Sequence, residues 1–356
     1  MNSSFSHAPG SAISLNNPGV IFGVQYLRAF AAMTVVWVHA IGETPWGNAN
    51  SYFGTSGVDL FFVISGFIMI ATTSRKPLSP GKFFELRIIR IAPLYWFCTL
   101  VIIASALSGK SHHHLNLAPS AIAKSVFFFP YWSLDHPGRI WPMLIQGWTL
   151  NYEMFFYVLF ALSLFFGRRR LELLTTTLVS LAAIGFLAGP FANAPAQVYT
   201  SPMMLEFVAG MWIGRIWATG GLRISLWSAA ISIALGTACL GIADYRFAIM
   251  TGAAMMLVGT LHPRIASLRF SIFLAVGDAS YSIYLTHTFV ISALMLIWPR
   301  IFPSASTASW VLYMAVVCVL TMLGGWICHR CVERPVTSAL RQITQDRARA
   351  VAPATS

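Results

Sequence analysis

The sequence predicts an all-α, polytopic integral membrane helical bundle of about ten transmembrane helices, with both termini cytoplasmic. Three observations carry that prediction. Of the 356 residues, 57% are hydrophobic and only 10% charged, a balance that belongs to membrane-embedded chains. The apolar residues gather in runs of the roughly 20 residues that a helix needs to cross a bilayer. The basic residues, finally, alternate between connections: 17 of the 23 Lys and Arg fall in one alternate set and five in the other, with Arg28 inside a run. That imbalance places the richer set, and both termini, in the cytoplasm. It also accounts for the net charge of +12 without nucleic acid, because the positive residues come in short clusters between apolar runs.

Residues 1–19 are rich in Ser, Asn, Pro and Gly and hold no Lys or Arg. They lack the basic segment and apolar core of a secretory signal, and read as a disordered cytoplasmic tail. The membrane domain occupies residues 20–335, with apolar runs at Val24–Ile41, Gly57–Thr73, Ile91–Leu107, Trp148–Phe166, Leu173–Gly189, Val198–Trp217, Ile224–Ala243, Phe247–Leu261, Phe273–Trp298 and Ser309–Cys331. Ser120–Trp132 is too short to cross, is interrupted by Lys124 and stops at Pro130, and reads as interfacial or re-entrant. Residues 336–356 form a basic cytoplasmic tail.

Five cysteines lie in or at the ends of apolar runs, as small buried residues and not as a disulfide framework. Cys328-His329-Arg330-Cys331 has its histidine between the cysteines and no second ligand pair; it reads as a helix end. His112-His113-His114 are adjacent loop residues with no preset coordination geometry. No metal is expected.

The first run carries an arginine near one end and a histidine near the other. At about 100° and 1.5 Å per residue, the eleven-residue step from Arg28 to His39 is about 20° off a whole number of turns and rises roughly 16 Å. Both side chains therefore share a face, separated by Ala31, Ala32 and Val35, which leave room for a slim ligand. Ionisable residues inside a bilayer are costly and mark function by default. Glu153 and Glu206 lie inward from the outer ends of their runs, and Asp59 stands close to the start of its own, where an ordinary N-terminal carboxylate would sit. Glu153 is expected at the depth of His39, where a carboxylate would fix the imidazole tautomer. Arg87 and Arg90, three residues apart, share a helical face at a cytoplasmic mouth. Ser280, Tyr284 and His287 share another, facing either a cavity or neighbouring helices.

These residues resemble a known family. Arg28 and His39 match the arginine-to-histidine motif in the first helix of the bacterial acyltransferase-three family of integral membrane acyltransferases. The stretch from Gly57 to Phe67 is similar to its second-helix signature, Arg87-Ile88-Ile89-Arg90 to its cytoplasmic arginine pair, and Trp148-Thr149-Leu150-Asn151-Tyr152-Glu153 to its tryptophan-to-glutamate block, with Thr149 where Ser is commoner. The run from Gly277 to His287 and Glu333-Arg334-Pro335 match as well. The chain is most similar to the stand-alone exopolysaccharide O-acetyltransferases of the succinoglycan type; an additional extracytoplasmic domain that some relatives carry is expected to be absent.

The resemblance implies a multi-pass enzyme of the bacterial cytoplasmic (inner) membrane. Its donor would be acyl-CoA, acetyl-CoA foremost, and its acceptor a polysaccharide or lipid-linked oligosaccharide, with polysaccharide-assembly machinery as a further partner. His39 and Glu153 would be catalytic, with His39 serving as base or as nucleophile. Arg28, Arg87 and Arg90 would hold the donor. Asp59, Glu206, Ser280, Tyr284 and His287 would contact substrate. A contrasting reading is a secondary transporter with His39 and Glu153 as a proton relay; it expects internal repeats, which the sequence lacks, and gives Arg87 and Arg90 no task. A purely structural subunit would tolerate loss of Arg28 and His39.

Overall fold

The computed structural model describes residues 21–47, 53–109, 115–242, 245–304 and 306–351, and all regular structure among them is helical. The expected tail over residues 1–19 and the run His112–His114 lie outside the described residues. The centre is a pair of helices, α1 (Phe22–Gly42) and α2 (Phe53–Arg75). Helix α2 is apolar around its whole circumference, as a helix packed on every side must be, and most of it is buried. After α3 (Pro80–Leu107), which starts on a Ser79 cap and Pro80, a short α4 (Pro119–Val126) precedes α5 (Gly147–Ser163). A tight turn at Leu164–Arg169, in which Gly167 takes φ 54°, leads into α6 (Arg170–Ala188).

The second half runs through α7 (Ala194–Tyr199), α8 (Met204–Ala218), α9 (Leu226–Ile242), α10 (Arg246–Thr260), α11 (Pro263–Ala266), α12 (Ser271–Asp278), α13 (Ser280–Ile301) and α14 (Thr307–Cys328). A π-turn over His329–Glu333 continues into α15 (Arg334–Val351). Among the described residues, six helical stretches are long and apolar enough to cross a membrane: Phe22–Gly42, Ser56–Arg75, Pro80–Leu107, Gly147–Ala188, Ser280–Ile301 and Thr307–Asp346. Helices α9 and α10 are apolar but shorter.

Every predicted apolar run is helical, with differences at the edges. The third helix begins at Pro80 and not near Ile91, which puts Arg87 and Arg90 inside it. The run Val198–Trp217 is divided, because Pro202 follows the end of α7 and restricts the backbone before it. The run Phe273–Trp298 is divided at Ala279. The stretch expected as a tail is α-helical as far as Val351.

Three apolar clusters hold the bundle. One joins residues of α2, α3, α5 and α8, around Phe62, Phe83, Phe156, Phe160 and Phe207. A second joins α1, α2 and α10, and a third joins α1 to α13 and α14. The signature glycines set the closest approaches. A methyl group on Gly57 would strike the carbonyl oxygen of Ala31 in α1, and one on Gly66 the carbonyl of Phe207 in α8. Small residues at these crossings let backbones touch where lipid-like surroundings offer no other driving force.

Candidate active site

A cavity of about 250 Å³ opens between α1, α2, α3, α5, α13 and α15. Each wall helix contributes polar atoms: Arg28, Ser65, Arg87 with Arg90, Glu153, Ser280 with Tyr284, and Arg341. Glu153 is held from two sides. Ser65 Oγ donates to its Oε1 at 3.1 Å, and the Tyr157 hydroxyl donates to the same oxygen. Arg90 pairs with the buried Glu333, which also accepts from Ser282 Oγ at 2.6 Å and meets His329 Nδ1 at 2.9 Å. Arg28 donates to Gln25 Oε1 at 3.1 Å, and Gln25 Nε2 in turn donates to Asp278 at 2.9 Å.

Two donors in this wall have no partner among the described residues: Arg87 Nε and the fully buried Ser280 Oγ. The Arg87 guanidinium instead lies over the rings of Phe83 and Tyr157, at 5.4 and 6.0 Å. Four arginines thus face the cavity with one carboxylate, Glu153, among them, while Glu333 pairs with Arg90 from outside its lining. Buried donors without acceptors and like charges without counter-charges are both unfavourable, and an anionic ligand relieves both.

A wider space of about 750 Å³ lies against the same bundle end, between Asp278, His329 and α15. Three residues line both spaces: Arg28, Arg90 and Arg341. The neck between them is a ring of guanidinium groups.

At the other end of α1, His39 is exposed and its ring meets that of His287 edge to face, with centroids 4.8 Å apart. His39 Nδ1 lies 2.8 Å from the Val35 carbonyl, and His287 Nδ1 lies 2.7 Å from the Tyr284 carbonyl. A carbonyl only accepts, so in each neutral ring Nδ1 carries the hydrogen and Nε2 keeps its lone pair. This is the tautomer a base or nucleophile requires. His287 is fully buried and its Nε2 has no partner. Tyr284 connects this pair to the cavity: its ring lies 6.1 Å from Phe61 in the cavity wall and 6.1 Å from His287. The Tyr284 hydroxyl is fixed by Thr149 Oγ1 at 2.9 Å and the Gln146 carbonyl at 3.0 Å.

Asp59 and Glu206 form a separate group. Both are fully buried, and Arg246 at the start of α10 reaches them at 3.4 and 3.7 Å. Neither carboxylate lines the two spaces described above.

A family model described as an acyltransferase domain matches residues 21–330. The chain belongs to the acyltransferase-three family of integral membrane acyltransferases. It is 42% identical over 247 residues to the exopolysaccharide production protein ExoZ of Rhizobium meliloti (strain 1021), covering 67% of this chain and 77% of that protein. It is 25% identical over 316 residues to the O-acetyltransferase OatA of Staphylococcus aureus, covering 76% of this chain and half of that protein. Nodulation protein 10 of Rhizobium leguminosarum bv. viciae is 26% identical over 320 residues, covering 76% of this chain and 83% of that protein. No solved structure matches the chain.

Within this acyltransferase the residues singled out by sequence fall into three places. Arg28, Arg87, Arg90, Glu153, Ser280 and Tyr284 line one cavity. His39 and His287 meet beyond its Tyr284 wall. Asp59 and Glu206 stand apart with Arg246. Glu153 is held by Ser65 and Tyr157 and is not drawn to His39. It lies six residues into α5, and His39 lies three from the end of α1. Asp59 is not in a first turn, since α2 begins at Phe53. Sequence reasoning assigned no role to Ser65, Tyr157, Arg246, Glu333 or Arg341. Tyr157, one turn beyond Glu153, was the most readable of these by spacing.

Proposed function

We propose that this acyltransferase takes an acyl group, acetyl first among them, from cytoplasmic acyl-coenzyme A and delivers it to a hydroxyl of an exopolysaccharide or its lipid-linked precursor. The observation that carries the reading is the cavity ringed by Arg28, Arg87 and Arg90, with the unpartnered Arg87 Nε and Ser280 Oγ in its wall. Arginine suits phosphate groups through its planar fork of donors. An acyl-pantetheine arm is slim and mostly apolar, as are the surfaces contributed by Val58, Phe61, Ile64 and Leu150. The similarity to ExoZ and OatA supports the polysaccharide acceptor and the acetyl group.

In this reading the bundle crosses the cytoplasmic membrane about ten times, with both chain ends inside. The Arg28 end faces the cytoplasm and the His39 end faces outward. The basic residues in alternate connections support that orientation. Tyr284 separates the arm from the imidazoles, so its ring moves aside for the thioester to reach His39.

His39 Nε2 has its lone pair free for either of two routes. As a base it takes the acceptor hydroxyl's proton while that oxygen attacks the thioester carbonyl. The C–S bond then breaks and the proton goes to the departing thiolate. As a nucleophile it forms the C–N bond itself and expels the thiolate; in a second step the hydroxyl attacks the acyl-imidazole, the C–N bond breaks to return the imidazole, and the hydroxyl proton goes to the thiolate. Glu153 holds negative charge opposite the arginines and orients the arm. Asp59 and Glu206, paired through Arg246, serve the scaffold.

The test is the alkali-labile ester content of surface polysaccharide from cells carrying wild type, His39→Ala or Arg28→Ala, matched for membrane insertion. Both variants are expected to lose the ester. Normal ester content in either overturns the assignment.

A further inference from the structure

Helix α15 lies beyond residue 330, where the family match ends, and one of its faces borders the wider space at the bundle end. Arg334, Thr337, Ser338, Arg341, Gln342 and Gln345 recur at the three- and four-residue spacing of one helical face, and all of them line the wider space at the bundle end. Its apolar Val336 and Ile343 are exposed, at 39% and 48%. The polar face is likewise open to that space: Arg334, Ser338, Arg341, Gln342 and Gln345 are exposed, and only Thr337 among them is buried.

The charge at the neck points the same way. Arg90 has Glu333 and Arg28 has Gln25, while Arg341 makes no ion pair among the described residues and faces the like charges of Arg90 and Arg87. The neck therefore favours an anion, and the wider space beyond it, which the carboxylates of Asp278 and Asp346 also line, has amide and hydroxyl groups suited to a nucleotide.

We propose that α15 is the nucleotide clamp of the donor site, with Arg341 completing a three-arginine ring around the pyrophosphate of coenzyme A and the helix's inner face holding the phosphorylated adenosine. The assignment rests on the acyl-coenzyme A reading given above. It orders the ligand along the two spaces: pantetheine in the narrow cavity, pyrophosphate in the neck, nucleotide against α15.

Calorimetric titration of coenzyme A into the full chain tests it, in nanodiscs of phosphatidylcholine alone and of phosphatidylcholine with phosphatidylglycerol. The proteins are wild type, Arg28→Ala, Arg341→Ala and Arg341→Lys, each with its unliganded unfolding temperature measured. Arg341→Ala is expected to weaken binding roughly 10–100-fold in both bilayers, as loss of a charge-assisted contact does, at an unchanged unfolding temperature, with partial recovery in Arg341→Lys. Wild-type affinity in Arg341→Ala alongside loss in Arg28→Ala overturns the clamp and leaves the donor reading standing. Absence of binding by wild type overturns the donor reading itself. Equal loss in Arg341→Ala and Arg341→Lys with a lowered unfolding temperature overturns the clamp in favour of a packing role. Loss confined to the phosphatidylglycerol discs overturns it in favour of a lipid headgroup.

Discussion

The Arg28–Glu153 cavity and the Asp59–Glu206–Arg246 group use the same ingredients, arginine and carboxylate buried in an apolar bundle, to opposite ends. In the cavity four arginines and one carboxylate, Glu153, line about 250 Å³ of space, with Glu333 paired to Arg90 outside the lining, and among the described residues two donors have no partner. In the other group two buried carboxylates and one arginine meet each other where α8 and α10 begin, with Asp59 six residues into α2. The N-terminal end of α8 favours negative charge on Glu206, and Arg246 lies within ion-pair distance of both carboxylates. Buried charge by itself therefore does not mark a substrate site. Charge that faces space, in excess of its local counter-charge, does.

The largest expected effect falls outside both regions, at the residue that the cavity is proposed to serve. His39→Ala should lower acyl transfer by about 10³-fold, within the range for a positioned base, with donor affinity unchanged. A variant that loses coenzyme A binding along with turnover would join His39 to the cavity and blur the distinction drawn here. Next comes the closed group. Arg246→Ala leaves two buried carboxylates with no cation, and should cost about 3 kcal/mol of stability, the low end for a broken buried pair, because Arg246 is itself 38% exposed. Adding Glu206→Gln removes one of the stranded charges and should restore much of that loss in thermal unfolding, a coupling that a double-mutant cycle measures. If Arg246→Ala instead folded normally and raised the KM for acceptor, the group would be a binding site after all.

In the cavity the expectation reverses. Arg87→Ala should raise the KM for donor roughly tenfold, the loss of one charge-assisted contact, while leaving the unfolding temperature nearly unchanged, because Arg87 makes no ion pair among the described residues. A fall in stability without a change in KM would show that Arg87 is spent on packing against Phe83 and Tyr157.

The sequence made within-helix relations readable. The 3.6-residue period put Arg28 and His39 on one face and grouped Ser280 with Tyr284, and the apolar runs located every span-like helix. Relations between helices were not readable, because rise and angle along one helix say nothing of which neighbour it meets. Arg90 and Glu333 are 243 positions apart. Nothing near Arg246 announced that it would turn inward to Asp59, 187 positions away. Depth misled for a related reason: it was measured from apolar edges, and the edge of a run is set by where polar residues begin, not by where the helix ends. Apolar edges put Arg87 and Arg90 at a helix mouth, whereas they stand seven and ten residues past the start of α3, at cavity level.

The smallest effect tests the boundary between the cavity and the imidazole pair. Tyr284→Phe keeps the ring that separates them and removes only the hydroxyl bonded to Thr149 and the Gln146 carbonyl. If Tyr284 is a gate that shifts when the donor arrives, those two bonds hold it closed, and their net worth of about 1 kcal/mol each is a cost of opening. The variant should then open more readily, with turnover unchanged or raised a few-fold and hydrolysis of donor in the absence of acceptor raised by a similar factor. If the hydroxyl instead serves the reaction by donating to the thioester oxygen, turnover falls while hydrolysis falls with it. The sign of the change in uncoupled hydrolysis separates a wall that moves from a wall that reacts.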